Sequence, residues 1–246
     1  MVKPTRDAFD PFFAMASVRD DLSEEERSTI LAAAAGARTF QAGEDLVCQG
    51  DRPSFSTLVV SGMTGRYSTV EDGGRQITGL HIAGDFVDLH SFPLQLMDHS
   101  VTAITYCEVV TFPHTRLLEI TESFPHLTRV LWLLTLLDGS IHRQWMVTKG
   151  RLTADEQMAH LFCEQFVRAQ MAGLAKAERY PFPLTQIQFG DALGLSIVHT
   201  NRTLQRLRRT GALEWQDGIV NIHDWPLLRE LGQFDPTYLH LEKLRR

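Results

Sequence analysis

The sequence predicts an α+β protein in which an antiparallel β-domain precedes a long helix and a smaller helical domain. Three observations lead to this prediction: strand-like runs separated by glycines between about residues 39 and 113, a heptad pattern from Leu127, and two capped helices within residues 184–213. The chain has 246 residues, 43% hydrophobic and 22% charged. That length suits one large or two small domains of ordinary globular composition.

The first predicted element is a helix over about residues 18–35. Residues 21–23 lead into the acidic Glu24–Glu26 and an alanine-rich stretch that ends at Gly36. Acidic residues favour the start of a helix, and glycine favours its end. The chain therefore enters its β-domain at about Thr39.

The β-domain is predicted from short β-rich runs with turn residues between them. Glu71-Asp72-Gly73-Gly74 reads as a hairpin turn between two of these runs. Short strands at regular spacing are typical of an antiparallel sandwich, jelly roll or barrel. The predicted strands are Thr57–Val60, Arg66–Val70, Gln76–Ile82 and Val101–Phe112.

Helices return after about residue 115, first as a short helix over Thr115–Ser123. A long helix follows, with apolar residues at heptad spacing over about three heptads. A second apolar face contains Trp132 and Leu136. One interpretation is a helix buried on its own domain; the other is a two-fold dimerisation helix. The predicted dimer interface is Leu127, Val130, Leu134, Leu137 and Ile141.

The C-terminal domain is predicted to contain a winged helix-turn-helix. A helix over about 154–170 and a loop at Tyr180–Pro183 come first. Thr185 then caps a helix that ends at Gly194, and Ser196 caps a second helix that ends at Gly211. Two capped helices with a tight glycine turn are typical of a helix-turn-helix. The hairpin over residues 213–222 would form a wing.

Charge is distributed unevenly along the chain, which carries a net charge of −6. Residues 1–150 hold 12 basic and 19 acidic side chains, whereas residues 151–246 hold 12 basic and 11 acidic ones. The second helix of the predicted motif carries four arginines and no acid between His199 and Gly211. This is either a solvated basic face or a local contact surface for a polyanion.

These segments resemble the Crp/Fnr family of bacterial transcription regulators nearly end to end. SIVHTNRTLQRLRRTGAL matches the family's recognition helix, and DGGRQI followed by HIAGDFVDL resembles its β-roll. HLTRVLWLLTLLDGSIHRQW falls where the family has its dimerisation helix. The resemblance implies a jelly-roll-like β-roll sensor domain over 1–124, a dimerisation helix over 125–150 and a winged helix-turn-helix over 151–246.

The resemblance also implies which residues contact DNA. Arg202 is the strongest candidate for reading a guanine, because its planar fork can bond O6 and N7 together. Asn201 would contact either a base or a phosphate. The predicted base-contacting residues are Ile197, Val198, Asn201 and Arg202. The predicted phosphate-contacting residues are Gln186, Ser196, His199, Arg206, Arg208 and Arg209.

An effector pocket between the β-roll and the dimer helix is implied as well. The predicted residues are Asp85, His99, Ser100, His142 and Arg143. His99 stands where cyclic-nucleotide-binding members have a phosphate-binding arginine, and a neutral imidazole lacks that charged grip. We therefore expect no cyclic-nucleotide binding of the usual kind.

No cofactor or metal site is predicted. Three cysteines cannot supply a four-thiolate iron–sulfur cluster. His81, His90 and His99 are candidate axial ligands of a haem, although a histidine on a sheet is more often structural. Cys107 reads as inert core, and Cys48 as an exposed thiol with a possible redox role.

The sequence therefore predicts a DNA-binding transcription regulator that acts as a homodimer on a palindromic site. Its predicted partners are duplex DNA, a second copy and, for an activator, RNA polymerase. Neither a membrane span nor a signal peptide is expected, so the predicted location is the cytoplasm. The alternative is a small-molecule receptor with little DNA binding. An enzyme is not expected, because no His-x-His pair or other catalytic motif occurs.

Overall fold

The structure is a computed structural model that describes residues 5–71 and 73–245. The turn predicted over residues 71–74 includes Asp72, which lies outside the described residues. Within the described part of the chain, no helix is long and apolar enough to cross a bilayer.

Short helices precede the β-domain. A 3-10 helix at Arg6–Phe9 leads into α1, Asp10–Ser17. Helix α2, Glu24–Ala33, begins later than the predicted start at about residue 18, because Ser23 and Glu26 form a reciprocal capping box that fixes its first turn. It ends at Ala33 rather than near Gly36, since residues 36–40 are already paired in a strand.

The β-domain contains two antiparallel sheets, with strand orders β1-β7-β3 and β2-β6-β4-β5. The run predicted as one strand over Val101–Phe112 forms two strands, because the chain turns at 104–106. There the Thr105 hydroxyl accepts from the Met63 amide. The strands are β1 Gly36–Phe40, β2 Asp45–Val47, β3 Phe55–Ser61, β4 Met63–Thr69, β5 Arg75–Ile82, β6 Ser100–Ala103 and β7 Cys107–Pro113.

Two apolar clusters stabilise this β-domain. Val59, Val101 and Val109 are fully buried in one of them. The other joins α1 to the β-strands and the following helices, with Phe12 packing edge-on against Phe86. Burial of such side chains is the main source of stability.

Helix α3, Ser91–Leu94, and helix α4, His114–Ser123, precede the long helix α5, Pro125–Arg151. Three of the five residues of the predicted dimer seam are buried within their own chain. Leu127, Val130 and Leu137 are 0%, 2% and 7% exposed within their own chain, so a partner cannot bury them further. Leu134 and Ile141 are half-buried, and the large hydrophobic residues of α5 that are exposed are Trp132, Leu136, Met146 and Val147.

The C-terminal helices surround α6, Ala154–Met171, which is buried on all sides from Gln157 to Ala169. Phe162, Phe182, Phe189 and Trp215 form an aromatic core around it, with ring centroids 5.1–5.8 Å apart. The remaining elements are α7 Gln186–Leu193, α8 Ile197–Arg209, α9 Trp225–Leu231 and a 3-10 helix at Pro236–Leu239.

A third sheet, with order β8-β10-β9, replaces part of a predicted loop. The loop predicted at Tyr180–Pro183 is wrong for its first residues, because β8, Arg179–Pro181, pairs with β10. Pro181 obscured the strand, but an edge strand tolerates a residue that lacks an N–H. The other two strands are β9 Leu213–Gln216 and β10 Ile219–Ile222.

Residue contacts divide the described chain into two compact units. The first contains residues 5–67, 80–139 and 240–245, and the second contains 68–79 and 140–239. The division differs from the predicted domain boundaries, because residues 68–79 join the second unit. There the Arg75 guanidinium donates to the Asp191 carboxylate at 2.9 Å, and Gln76 donates to the Asp191 carbonyl.

Candidate nucleic-acid interface

The helix-turn-helix is built from local capping and one close backbone approach. Thr185 and Gln188 form a capping box at the start of α7, and Gly194 ends it at a positive φ of 72°. Ser196 caps α8 by accepting from the His199 amide. The two helices pack closely, because a Cβ added at Gly190 would lie 2.7 Å from the Leu195 carbonyl oxygen.

Helix α8 has one buried and one exposed face. The buried residues are Thr200, Thr203, Leu204 and Leu207. All four predicted base-contacting residues are exposed: Ile197, Val198, Asn201 and Arg202. The two apolar side chains among them, Ile197 and Val198, are 42% and 57% exposed. Packing within this chain therefore does not account for apolar residues at these positions. They lie in the first two turns of α8, the part of a recognition helix that meets base edges.

The four arginines of α8 have different surroundings. The Arg206 guanidinium donates to the Asp155 carboxylate, with its Nε 2.9 Å from Oδ1. The Arg208 guanidinium donates to the Trp215 carbonyl on β9. No described residue pairs with Arg202 or Arg209, which are both exposed. The internal bonds of Arg206 and Arg208 compete with the phosphate contacts predicted for them, which leaves Arg202 and Arg209 as the available cations.

The remaining predicted phosphate contacts lie around the same surface. Gln186 is exposed in the first turn of α7, Ser196 caps α8, and His199 is exposed. Sequence reasoning overlooked Ile187, which is 62% exposed beside Gln186. Its position in the first turn of a capped helix is the signal that would have identified it.

The wing has the predicted boundaries. Asp217 and Gly218 both adopt positive φ at its tip, which is the conformation that a two-residue hairpin requires. The Trp215 indole donates to the Phe182 carbonyl at 3.0 Å, which fixes the wing on the aromatic core.

The predicted effector residues are divided between the two compact units. The Asp85 carboxylate accepts from the Ile82 amide, and the Ser100 hydroxyl accepts from the Gln49 amide, so both stabilise local backbone. His142 and Arg143 belong to the second compact unit. There His142 lies 3.4 Å from the Thr78 carbonyl, and Arg143 is exposed.

A buried polar cluster surrounds His99 in the first unit. Arg66 on β4 pairs with Asp138 on α5 at 2.5 Å, and His81 lies 3.8 Å from the same carboxylate. Sequence reasoning missed Arg66 and Asp138, although charged residues within a strand and an apolar helix are a usable signal. Burial and then the Arg66 charge lower the pKa of His99 to about 4, and burial lowers the pKa of His90.

The cysteines lie as the sequence predicted: Cys107 is buried and Cys48 exposed. Partial burial, and then Asp45 and Asp51, raise the pKa of the Cys48 thiol. A raised pKa disfavours the thiolate, so nothing in these surroundings favours redox reactivity.

Two family models match the chain. A cyclic nucleotide-binding domain matches residues 37–124, and a Crp-like helix-turn-helix domain matches residues 156–231. These matches cover the β-domain and the helix-turn-helix described above.

Known transcription regulators are similar to most of the chain. The transcriptional activator protein FnrL of Cereibacter sphaeroides is 32% identical over 202 residues, covering 79% of this chain and 80% of the relative. The nitrogen fixation regulation protein FixK of Bradyrhizobium diazoefficiens is 29% identical over 190 residues, covering 75% and 77%.

A solved structure has the same fold. FixK2 from Bradyrhizobium japonicum superimposes with a TM-score of 0.72 at 25% identity, over 80% of this chain and 96% of that one. The receptor without DNA binding is therefore not favoured. The fold, the exposed second helix and these relatives together show that the chain belongs to the Crp/Fnr family of DNA-binding transcription regulators.

Proposed function

We propose that the chain binds a palindromic DNA site as a homodimer, with α8 of each copy in the major groove. The observation that carries this proposal is the exposed face of α8, where Ile197, Val198, Asn201 and Arg202 lie together. Arg202 reads a guanine, and Val198 contacts a thymine methyl. Two copies place their half-sites about 34 Å apart along the duplex.

Phosphate contacts position this reader without specifying sequence. Gln186, Ser196, His199 and Arg209 surround the exposed face and supply the contacts in this proposal. Arg206 and Arg208 instead support the fold through Asp155 and the Trp215 carbonyl. Each phosphate contact adds about −0.9 to the slope of log affinity against log salt.

Selection of bound sequences from a random duplex pool, with purified protein and no added ligand, tests the proposal. We expect a palindromic consensus with half-sites about one DNA turn apart. Enrichment of a single asymmetric site would contradict binding of a palindromic site by a symmetric dimer. Failure to enrich any sequence, while binding duplex DNA of all sequences equally, would contradict specific readout.

The homodimer forms through the exposed face of α5 in this proposal. Trp132 and Leu136 are 64% and 52% exposed and lie one turn apart on the helix. Met146 and Val147 continue the exposed apolar residues toward the end of α5. A helix that is apolar on its core side and again on its exposed side is typical of an interface between two copies.

Light scattering on a charged variant tests this face. We expect Trp132→Glu to shift the protein from dimer to monomer, because it places a carboxylate in an apolar interface. Leu118→Glu on α4 is the matched control, since Leu118 is 48% exposed and lies outside the proposed face. Retention of a stable dimer by Trp132→Glu would contradict the proposed interface.

We further infer that the regulator activates transcription through RNA polymerase. The support is that FnrL and several other relatives are named transcriptional activators. In vitro transcription from a promoter that carries the selected site is the test. We expect more transcript with the protein than without it, and repression would contradict this part of the proposal.

A further inference from the structure

Two histidines and an aspartate come together in the first compact unit, although the sequence separates the histidines by nine positions. His90 precedes the short helix α3, and Asp98 and His99 directly precede β6. One potential ligand atom from each of the three lies within 4.8 Å of the others. The two imidazole rings have centroids 4.9 Å apart.

Both histidines have a buried nitrogen with no hydrogen-bond partner among the described residues. These atoms are the Nε2 of His90 and the Nε2 of His99. His99 is only 9% exposed, so water does not readily satisfy its nitrogen. Buried polar atoms are nearly always paired, and an exception calls for a missing ion or molecule.

Asp98 gives His99 the arrangement of a metal ligand. Its Oδ1 lies 2.6 Å from the His99 Nδ1, which keeps the proton on Nδ1 and leaves the Nε2 lone pair free. Ligand histidines commonly donate their other N–H to a carboxylate in this way. The Asp98 side chain is exposed, so it can keep its hydrogen bond to His99 if the imidazole rotates.

The charges around the cluster also suit a cation. Arg66 is the nearby positive group, and Asp138 pairs with it at 2.5 Å. With neutral imidazoles, Arg66, Asp138 and Asp98 together carry one net negative charge. The Asp98 carboxylate would repel an anion, because its partner His99 is a neutral imidazole, whereas its charge would partly balance that of a divalent cation.

We propose that His90 and His99 bind a divalent transition-metal ion through their Nε2 atoms, with Asp98 as a positioning residue and water completing the coordination. Imidazole ligands suit zinc, copper, iron and nickel. Ligand atoms on tetrahedral zinc, with bonds of about 2.0–2.1 Å, lie roughly 3.3 Å apart. Potential ligand atoms of the three side chains lie within 4.8 Å of one another, so small side-chain rotations would suffice to bring both imidazoles to one ion.

Isothermal titration of the chelator-treated full chain with zinc chloride tests the site directly. A Cys48→Ser background removes the exposed thiol as a competing ligand. We expect one ion per chain, and we expect His99→Gln to lose this binding. The exposed His223 supplies the matched control, His223→Gln, which should bind zinc as before.

Asp98→Asn keeps both imidazoles and changes only an exposed side chain, so it tests the metal site even if His99→Gln does not fold. We expect it to weaken zinc binding about 10–100-fold, the usual loss for such an orienting carboxylate. Zinc should also raise the melting temperature of the parent chain but not of His99→Gln. Absence of zinc binding by the parent, or unchanged binding in both variants, would overturn the proposal. Neither readout involves DNA, so the outcome is independent of the proposed DNA site.

Discussion

At the residue scale, identical side chains on one helix have different roles. Arg202, Arg206, Arg208 and Arg209 are indistinguishable as a basic cluster in the sequence. In the structure, Asp155 on α6 binds Arg206, and the Trp215 carbonyl binds Arg208. These partners come from outside α8, so local sequence could predict the exposed face but not which of its cations remain available.

Arg202 and Arg209 provide a matched pair of variants. We expect Arg202→Ala to lose about 1–3 kcal/mol of binding free energy and to relax the preference at one base pair. Arg209→Ala should weaken all duplexes about equally, because a phosphate contact carries no sequence information. Fluorescence anisotropy against the selected duplex and its single-base-pair variants measures both effects. Unchanged sequence preference in Arg202→Ala would refute the assignment of Arg202.

Asp88 gives a pH-dependent prediction at the same scale. It is 1% exposed and accepts from the Thr57 amide at 2.5 Å and from the Thr57 hydroxyl at 3.1 Å. Burial raises the pKa of Asp88 from 3.8 to about 7, against the opposite effect of these hydrogen bonds. The folded state therefore holds a proton that the unfolded state has already released between these pH values.

Stability contributed by Asp88 is full below about pH 4 and falls as the pH rises toward 7. We expect the free energy of unfolding of the parent, relative to Asp88→Asn, to decrease across that interval. Urea denaturation of both proteins at several pH values measures this difference in unfolding free energy. The other carboxylates titrate alike in both proteins, so their contribution cancels in the difference. A difference that stays flat or rises with pH would show that folding does not raise the pKa of Asp88.

At the element scale, capping residues predicted where α7 and α8 begin and end, whereas the pairing of the edge strand β8 could not be predicted from local sequence. Thr185, Ser196 and Gly194 fixed the limits of α7 and α8 to within a residue, because caps act over a few neighbouring positions. The strand at Arg179–Pro181 could not be predicted locally, since the strand that pairs with it is β10, some forty residues later. The heptad pattern predicted α5 but not its orientation, because both of its faces are apolar.

The packing of α7 against α8 gives a prediction for this element. A Cβ at Gly190 would lie 2.7 Å from the Leu195 carbonyl oxygen and 2.9 Å from the Thr200 hydroxyl. We expect Gly190→Ala to lower the free energy of unfolding by about 1–3 kcal/mol, as overpacking does, and to weaken DNA binding. Gly150→Ala is the control, because nothing lies within 4 Å of its added methyl group.

Alanine favours a helix over glycine by up to about 1 kcal/mol, so Gly150→Ala should be neutral or stabilising. Thermal denaturation and anisotropy on the same duplex measure both variants. Equal stability and DNA affinity in Gly190→Ala and Gly150→Ala would mean that α7 and α8 do not require this close approach.

At the scale of the whole molecule, the proposed function depends on two copies of the chain. The sequence could predict a β-domain, a long helix and a winged helix-turn-helix, because each has a local pattern. It could not predict that residues 68–79 belong to the second compact unit, since Arg75 and Asp191 are distant in the chain. It also could not predict that Arg66, Asp138 and His99 come close together, since they lie on β4, on α5 and just before β6.

The central claim is that a dimer holds two α8 helices about one DNA turn apart. The most direct test compares the affinity for the selected duplex with that for the same half-sites moved apart by roughly five base pairs, which is about half a turn. We expect the insertion to reduce the affinity to that of a single half-site, because the second half-site then lies on the opposite side of the duplex. Equal affinity for both duplexes would contradict a dimer that reads two half-sites together.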